Sequence, residues 1–468
     1  MSKIHEKILL LLCDFIVINT TFIAWAWLRK ELGFFSESRF PTLLLISAVV
    51  YSFWFLIFSF FGLYSLPHPR SRLDEVITTF KSVTFGVFII FLLTFDIERD
   101  FSQPPRLSRM FILNYWLILF SAVSFMRVLL RSFQKSLLAA GIGHRRTLIV
   151  GWNDKSRALS ERILRFPALG YRVVGFVAEN PPGSRVIQED GAIPLLGHID
   201  QLEAIVEKVK AQEVILAVEP QSRNSVMDVF SMSNGLPVNF KIVPDLYDIV
   251  VGQARTNQIY GFPLIDILPD FMPEWERKMK RLIDILISTL ILAAFLPFWI
   301  LIALLIKLDS KGPVFYKQKR VGKDEKEFTI YKFRSMIHNA ESQTGPRWAD
   351  REDSRITLIG SLLRKPRLDE IPQFLNVLKG EMSLVGPRPE RPYFVKQLKK
   401  QIPFYSRRMR VKPGITGWAQ IKGAYDASIE NVKAKLQYDL FYLENMSLRM
   451  DLKIIVNTLY VMLMGKGH

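Results

Sequence analysis

The segment "LIDILISTLILAAFLPFWILIALLI", from Leu282 to Ile306, is apolar apart from Asp284 and decides how the C-terminal part of the chain meets a membrane. At a rise of 1.5 Å per residue, about 25 helical residues are long enough to cross a bilayer. Both flanks are cationic, however, and the positive-inside rule then places both ends in the cytoplasm. The flanking cations are Arg277, Lys278, Lys280 and Arg281 before the segment and Lys307, Lys311, Lys317, Lys319 and Arg320 after it.

Pro297 lies near the middle of this segment, where it removes one helical hydrogen bond and favours a kink. The sequence therefore predicts a re-entrant helical hairpin, over about residues 278–308, that enters one leaflet and returns. An ordinary fifth span is the alternative, and it would place all downstream residues outside the cell.

Apolar runs in the first third of the chain approach the length of a membrane span. They cover about Ile8–Leu28, Pro41–Tyr64, Val83–Ile97 and Phe111–Leu130. A cleaved signal peptide is the alternative for the first run, but no small-residue cleavage site follows it. Lys and Arg are modestly enriched in the segments that face the cytoplasm if the N-terminus does. Residues 1–135 are therefore predicted to form four transmembrane helices, with the rest of the chain on the cytoplasmic side.

Composition restricts the partners and the metal sites. A net charge of +18 over 468 residues requires anionic partners or an anionic surface. No zinc-finger, RNP or basic-zipper pattern occurs, so nucleic acid is not expected, and membrane lipids and phosphorylated substrates fit better. Cys13 alone excludes an internal disulfide and a Cys-rich metal site, and the six histidines show no zinc-ligand spacing.

The stretch "RRTLIVGWNDKSRALSERIL", Arg145 to Leu164, has the pattern of a strand, a turn and a helix. The β-rich runs "YRVVGFV", "EVILAV" and "VNFKIV" follow it, which predicts an α/β Rossmann-like domain over residues 143–265. A dinucleotide site needs three glycines in the first turn, and only Gly151 is present. Asp154 adds negative charge where a pyrophosphate would lie. The domain is predicted to bind no nicotinamide cofactor and to be structural, regulatory or self-associating.

The stretch "RLDEIPQFLNVLKG", Arg367 to Gly380, contains two adjacent carboxylates, Asp369 and Glu370. Apolar residues recur after them with helical spacing, so Asp369 fits the N-cap of a short helix and Glu370 its first turn. The alternative is that the pair carries chemistry, since a carboxylate beside clustered cations suits phosphate substrates.

Longer motifs favour a catalytic role for this acidic pair. They are "KQKRVGKDEKEFTIYKFRSM", "LIGSLLRKPRLDEIPQFLNVLKGEMSLVGPRPE", "VKPGITGWAQIKGAY" and "YDLFYLENMSLRMDLKII". These segments closely resemble the bacterial sugar transferase family, the monotopic phosphoglycosyl transferases. The layout of four spans, a degenerate Rossmann-like domain and a catalytic part over residues 275–468 resembles the large members, so the resemblance covers essentially the whole chain.

The resemblance implies transfer of a hexose 1-phosphate, with galactose or glucose as the sugar, from a UDP-sugar to undecaprenyl phosphate. UMP leaves, and the product initiates O-antigen, capsule or exopolysaccharide synthesis. The implied location is the bacterial inner membrane, with the catalytic domain on its cytoplasmic face. The sugar, the pathway and a homodimer are left open.

The resemblance also implies roles for individual residues. Asp369 is the nucleophile, Glu370 is its partner carboxylate, and Mg²⁺ and cationic side chains offset the repulsion between the carboxylate and the diphosphate. The implied catalytic residues are Asp369, Glu370, Arg364 and Lys332; the implied substrate-binding residues are Arg388, Arg334, Lys412 and Thr416; the implied metal-binding residues are Asp369, Glu370 and Asp439.

Two positions depart from the family pattern. Leu296-Pro297 replaces a frequent Ser-Pro, which removes a hydroxyl that could satisfy freed backbone groups. Lys412 replaces a frequent Arg, and an ammonium group cannot make the same bidentate contact. Two other functions remain as alternatives: a non-catalytic membrane scaffold for polysaccharide assembly, and a membrane-anchored nucleotide-sugar reductase that uses the middle domain.

Overall fold

The computed structural model describes residues 3–31, 40–65, 72–94, 107–178, 193–217, 238–244, 264–266, 272–337, 355–402, 404–422 and 429–463. The chain divides into two compact units, Met1–Pro269 and Asp270–His468. Each unit is described by itself.

The first unit begins with four helices, α1 (Lys3–Glu31), α2 (Phe40–Phe60), α3 (Arg72–Leu93) and α4 (Leu107–Ala139). Within the described residues, α1, α3 and α4 contain stretches long and apolar enough to cross a membrane, and α2 contains the shorter apolar stretch Leu45–Phe60. Trp54 and Phe58 are fully buried between the helices, whereas Leu45, Leu93 and Phe125 on their outer faces are exposed. An apolar core combined with an apolar outer surface is the pattern of a membrane protein.

Helix α3 begins at Arg72, well before the predicted start at Val83, and ends at Leu93, while Ile97 lies outside the described residues. The polar residues of its first turns do not break the helix, because their hydroxyls bond backbone carbonyls of the preceding turn. Thr78 Oγ1 donates to Asp74 O at 2.7 Å and Thr79 Oγ1 donates to Glu75 O at 2.8 Å.

Arg127, which interrupts the fourth apolar run, is buried in the helical bundle. Its guanidinium contacts Asp14 of α1 at 2.5 Å and Glu75 of α3 at 2.8 Å. Arg131, one turn later in α4, contacts Glu75 at 3.3 Å and Glu6 at 3.2 Å. A charged side chain is tolerated at this depth because it is paired.

The rest of the first unit is an α/β domain, as predicted. Its strands are β1 (Arg145–Val150), β2 (Tyr171–Ala178), β3 (Leu195–His198), β4 (Glu213–Leu216), β5 (Asn239–Ile242) and β6 (Ile265–Asp266), and its helices are α5 (Asp154–Arg165) and α6 (Leu202–Val209). The sheet order is β3-β2-β1-β4-β5-β6. The first five strands are parallel and β6 is antiparallel to β5. The order reverses between β1 and β4, as in Rossmann-like folds.

The second unit begins with α7 (Glu274–Asp309), a single helix of 36 residues that continues through Pro297. The sequence predicted a hairpin with a kink favoured at Pro297, and the structure has one continuous helix through this residue. The side chains in its middle, such as Leu290, Leu296 and Ile300, are exposed and apolar. This stretch is long and apolar enough to cross a membrane, and its re-entrant geometry remains a prediction.

Both ends of α7 are bonded to the same unit. Near the N-terminal end, Arg281 donates to Val377 O and Leu378 O, and Asp284 accepts hydrogen bonds from Ser383 Oγ and Leu384 N. At the C-terminal end, Asp309 Oδ2 accepts from Ile359 N at 3.1 Å. The helix is thus anchored at both ends to one compact body.

The remaining elements of the second unit surround the N-terminal half and the C-terminal end of α7. The antiparallel pair β7 (Phe315–Val321) and β8 (Glu327–Phe333) is followed by α8 (Leu358–Arg364), α9 (Gln373–Lys379) and β9 (Ser383–Val385). The chain continues through α10 (Pro392–Gln401), β10 (Gly414–Thr416), α11 (Trp418–Lys422), α12 (Ile429–Glu444) and α13 (Leu448–Leu463), and β10 pairs in parallel with β9.

Candidate active site

The acidic pair lies in a tight turn and not at a helix cap. Arg367 adopts a left-handed conformation, with φ of 59°, and the 3₁₀ turn Leu368–Glu370 follows it. Helix α9 begins only at Gln373, and the residue before it, Pro372, makes no side-chain cap. The prediction that Asp369 is an N-cap is therefore wrong, because a 3₁₀ turn and a proline separate it from the helix.

One carboxylate oxygen of Glu370 is held by two cations. Its Oε1 accepts hydrogen bonds from Lys332 Nζ at 2.7 Å and from Arg388 Nη2 at 2.8 Å. Burial by itself would raise the pKa of Glu370, but Arg388 and Lys332 outweigh it and hold this pKa well below its ordinary value. Glu370 is therefore ionised at neutral pH, and it bridges the β7–β8 hairpin and the loop that follows β9.

Asp369 has the opposite surroundings. In the described part of the chain its carboxylate accepts no hydrogen bond, although it is as buried as Glu370. Burial first, and then the charge of Glu370, raise the pKa of Asp369 to about 6, while Lys332, Arg364 and Arg388 act against them. Two adjacent carboxylates with pKa values displaced in opposite directions are suited to different roles. The unbonded one keeps its lone pairs for an electrophile.

The cations around the pair come from separate elements. Lys332 lies on β8, and its burial lowers its pKa in spite of the contact with Glu370. Arg364 ends α8, and its Nε donates to Ser335 Oγ at 2.9 Å. Helix α8 approaches Ser335 closely at Gly360, where a Cβ atom would lie 2.0 Å from Ser335 O. The predicted residues Asp369, Glu370, Lys332, Arg364 and Arg388 are thus brought together.

The other predicted substrate-binding residues lie elsewhere in the second unit. The guanidinium of Arg334 donates to Ile306 O, Lys311 O and Ser310 O and so holds the C-terminal end of α7. Lys412 lies beside Gly380 at the C-terminal end of α9, and burial lowers its pKa. Thr416 Oγ1 is 2.7 Å from Thr458 Oγ1 on α13. Their predicted contact with substrate stays a prediction.

Asp439 does not join the acidic pair. It is buried on α12, where its Oδ2 lies 2.8 Å from Arg408 Nη2. No group of three metal-binding side chains occurs among the residues that the structure describes. The predicted metal set of Asp369, Glu370 and Asp439 is therefore corrected, because an arginine occupies the carboxylate of Asp439.

A magnesium ion fits the remaining residues. Mg²⁺ is commonly held by one or two protein carboxylates together with substrate phosphates and water. Asp369, which accepts no hydrogen bond in the described regions, offers one such ligand, and Glu370 offers a second oxygen because both of its cations bond Oε1.

Sequence reasoning missed Arg408 and used Arg320 only as part of a cationic flank. Arg408 donates to the backbone oxygen of Arg388 at 2.9 Å, and Arg320 donates to that of Pro389 at 3.0 Å. Their location in cation-rich stretches does not by itself indicate a functional role, because most such residues lie on solvated surfaces.

The chain is similar to known proteins over most of its length. The family model described as bacterial sugar transferase matches residues 275–465. The chain is 32% identical over 409 residues to the UDP-glucose:undecaprenyl-phosphate glucose-1-phosphate transferase of Xanthomonas campestris pv. campestris, covering 86% of this chain and 83% of that protein. The chain belongs to the bacterial sugar transferase family.

Two further members of the sugar transferase family differ in sugar. A protein of Klebsiella pneumoniae with the same name as the Xanthomonas protein is 30% identical over 442 residues, covering 90% of this chain and 94% of that one. The UDP-N-acetylgalactosamine-undecaprenyl-phosphate N-acetylgalactosaminephosphotransferase of Aeromonas hydrophila is 41% identical over 225 residues, covering 48% of this chain and 52% of that one.

A second family model, described as CoA-binding domain, matches residues 59–244, which include the Rossmann-like domain through β5. The residues at the switch point between β1 and β4 do not fit a bound phosphate group. Asn153 Nδ2 donates to Ala217 O at 2.7 Å, and Asn153 Oδ1 accepts from Ser156 N at 2.9 Å in the first turn of α5. A Cβ atom at Gly151 would lie 2.3 Å from Ala217 O. The side-chain amide of Asn153 therefore lies where a phosphate would bind, and it already accepts from Ser156 N, the helix donor that a phosphate would use.

Proposed function

We propose that this protein transfers a sugar 1-phosphate from a UDP-sugar to undecaprenyl phosphate and releases UMP. The names of its relatives support the reaction, and the pairing pattern of the two carboxylates supports the mechanism. Asp369 is the nucleophile because it is ionised above a pH of about 6 and accepts no hydrogen bond in the described structure. Glu370 cannot serve in this way while Lys332 and Arg388 hold it.

The reaction has two displacements at one phosphorus. A carboxylate oxygen of Asp369 attacks the phosphorus that carries the sugar, a phosphosugar–Asp369 bond forms, and the diphosphate P–O bond breaks to release UMP. An oxygen of undecaprenyl phosphate then attacks the same phosphorus, forms the lipid diphosphate sugar and frees Asp369. Each step consumes one phosphate ester or anhydride bond and forms another, so no other co-reactant is needed.

Cationic side chains offset the repulsion between Asp369 and the anionic substrate. Lys332, Arg364 and Arg388 lower the pKa of Asp369, which places their charges near its carboxylate. They stabilise the negative charge that develops on the phosphoryl oxygens. Mg²⁺ held by Asp369 and Glu370 would supply further charge neutralisation for the diphosphate.

The membrane supplies the acceptor. We propose that α7 is a re-entrant helix in the cytoplasmic leaflet of the bacterial inner membrane. Its exposed apolar middle and its anchoring of both ends to one compact unit support this geometry, since an ordinary span separates its ends by the whole hydrocarbon layer of about 30 Å. The acidic pair then lies beside the leaflet that contains undecaprenyl phosphate, and the product initiates O-antigen, capsule or exopolysaccharide synthesis.

The decisive experiment measures UMP release by the purified full-length protein with undecaprenyl phosphate and a panel of UDP-sugars. UDP-glucose is the first substrate to test, because relatives that align over most of the chain are named for it. UDP-galactose and UDP-N-acetylgalactosamine complete the panel. Radiolabel from the sugar should stay on wild-type protein when lipid is absent and move to lipid when it is added. UMP release that is absent with every UDP-sugar would instead favour a non-catalytic scaffold.

A further inference from the structure

The loop of residues 385–390, here the Arg388 loop, is held through its backbone oxygens by cationic side chains. Val385 O accepts from Lys280 Nζ at 3.0 Å, Arg388 O accepts from Arg408 Nη2 at 2.9 Å, and Pro389 O accepts from Arg320 Nη1 at 3.0 Å. Hydrogen bonds from charged donors are stronger than those between neutral groups. The loop is therefore held more firmly than an ordinary surface loop.

Three further backbone groups of the Arg388 loop are also hydrogen-bonded. Gly386 N donates to Thr416 O, Pro387 O accepts from Gly414 N, and Glu390 O accepts from Val321 N, each at 2.9 Å. Pro387 and Pro389 have no N–H group and a fixed φ angle. The backbone on both sides of Arg388 therefore has little freedom, and the direction of the Arg388 side chain depends on the groups that hold this backbone.

Arg408 is the most buried of the arginines that hold this loop. Its Nη1 donates to Tyr405 Oη at 2.8 Å, and its Nη2 makes a close ionic contact with Asp439 Oδ2 at 2.8 Å. Asp439 is itself almost completely buried. An arginine fork with this many fixed contacts has one orientation, which an ammonium group would not reproduce.

We propose that Arg408, oriented by Asp439, is a positioning residue that sets the guanidinium of Arg388 against Glu370. The contacts form a continuous series: Asp439 contacts Arg408, Arg408 binds the backbone of Arg388, and Arg388 Nη2 donates to Glu370. The inference rests on the proposed function, because it assigns Arg408 and Asp439 to the same acidic pair. Neither residue touches the reacting atoms in this role.

Displacement of Arg388 has a specific structural consequence. Glu370 Oε1 accepts from Lys332 Nζ and Arg388 Nη2, so it keeps only the Lys332 contact if Arg388 moves away. Arg408→Lys should therefore lose activity only where Arg388 is present, which a general loss of stability would not reproduce.

The chain offers a matched control beside Arg408. Arg407 precedes it in the same 3₁₀ segment, and its guanidinium pairs at 2.5 Å with Glu444, which lies on the same helix as Asp439. This second pair is partly exposed, and Glu444 lies outside the Arg388 loop. Arg408→Lys and Asp439→Asn are therefore compared with Arg407→Lys and Glu444→Gln.

The experiment measures the rate of sugar-phosphate labelling of full-length protein at pH 7, without lipid acceptor. Arg408→Lys should slow labelling by up to about 10²-fold, the effect of a small misplacement of catalytic groups. Asp439→Asn should show a weaker form of the same loss. The two control variants should stay within about twofold of wild type, as surface pairs contribute little.

A double-mutant cycle decides whether Arg408 acts through Arg388. In an Arg388→Ala background, Arg408→Lys should produce little further loss, because the group that it positions is absent. Losses that multiply in the double variant, or an Arg408→Lys rate equal to that of the controls, would each overturn the proposal. If Arg408→Lys does not fold, Asp439→Asn takes its place in the same cycle. Failure of wild type to label at all would contradict the proposed function instead.

Discussion

The two units each contain a buried cluster of charges, and the two clusters are built in opposite ways. In the helical bundle the guanidinium of Arg127 lies between two carboxylates, those of Asp14 and Glu75, and Arg131 also contacts Glu75. In the catalytic unit a single carboxylate, Glu370, lies between two cations, Lys332 and Arg388. The bundle cluster leaves each of these carboxylates with a cationic partner, whereas the catalytic cluster lies next to Asp369, which has no hydrogen bond from the described residues. Incomplete pairing, and not burial of charge, distinguishes the position of the proposed nucleophile.

The largest expected effect is that of Asp369→Asn on turnover. This substitution keeps the size of the side chain but removes the anionic nucleophile, so UMP release should fall by at least about 10³-fold. The UMP assay on full-length protein checks this, with Asp324→Asn as a control because Asp324 lies in the hairpin turn. Turnover near the wild-type rate would remove Asp369 from the mechanism.

The same variant should not be less stable than wild type at pH 7. Because the folded-state pKa of Asp369 is raised to about 6, its protonated form favours folding below the unfolded pKa, and this contribution is lost as the pH rises through 6. Asparagine resembles the protonated form, so the melting temperature should be unchanged or higher. Glu370→Gln should lower it, because the partly buried Lys332 and Arg388 are then left without this carboxylate.

Arg127→Met should be strongly destabilising in the bundle. It leaves Asp14 buried without its guanidinium and Glu75 with Arg131 in place of two arginines, and breaking a buried pair from one side costs about 3–5 kcal/mol. Thermal unfolding of detergent-solubilised protein measures this change. The triple variant Asp14→Asn, Glu75→Gln and Arg127→Met should recover much of the loss, because no unpaired charge remains. If the single Arg127→Met variant is as stable as wild type, Arg127 does not stabilise the buried carboxylates of the bundle as this comparison requires.

The acid limb of the reaction should report Asp369 and not Glu370. With a pKa of about 6, Asp369 is ionised for the most part at pH 7 and protonated for the most part at pH 5, so the labelling rate should fall about tenfold between these values. Glu370 stays ionised throughout, because its pKa is held well below the ordinary value. An acid limb centred near pH 4 would mean that the environment of Asp369 is more polar than the structure indicates.

Local patterns in the sequence predicted helices and strands better than they predicted contacts between side chains that are distant in sequence. The apolar runs, the strand-turn-helix stretch at β1 and the motif around Asp369 all correspond to features of the structure, since each is a property of neighbouring residues. The N-cap role of Asp369 failed because helical spacing beginning at Ile371 does not distinguish a 3₁₀ turn from the first turn of an α-helix. The bonds from Lys332 to Glu370 and from Arg408 to Arg388 O join residues 38 and 20 positions apart, and only the tertiary fold brings them together.

The smallest expected effect concerns α7, whose charged flanks distinguish it from the bundle helices. With Cys13 replaced, single cysteines in place of Lys278 and Lys311 should leave UMP release nearly unchanged, since Lys311 is exposed and Lys278 pairs weakly, at 3.8 Å, with Glu274. A membrane-impermeant thiol reagent should label both from the cytoplasmic side of inverted vesicles, because both ends of α7 are bonded to one compact unit. Labelling from opposite sides would mean that α7 crosses the bilayer, and the compact unit described here would then have to be divided by the membrane.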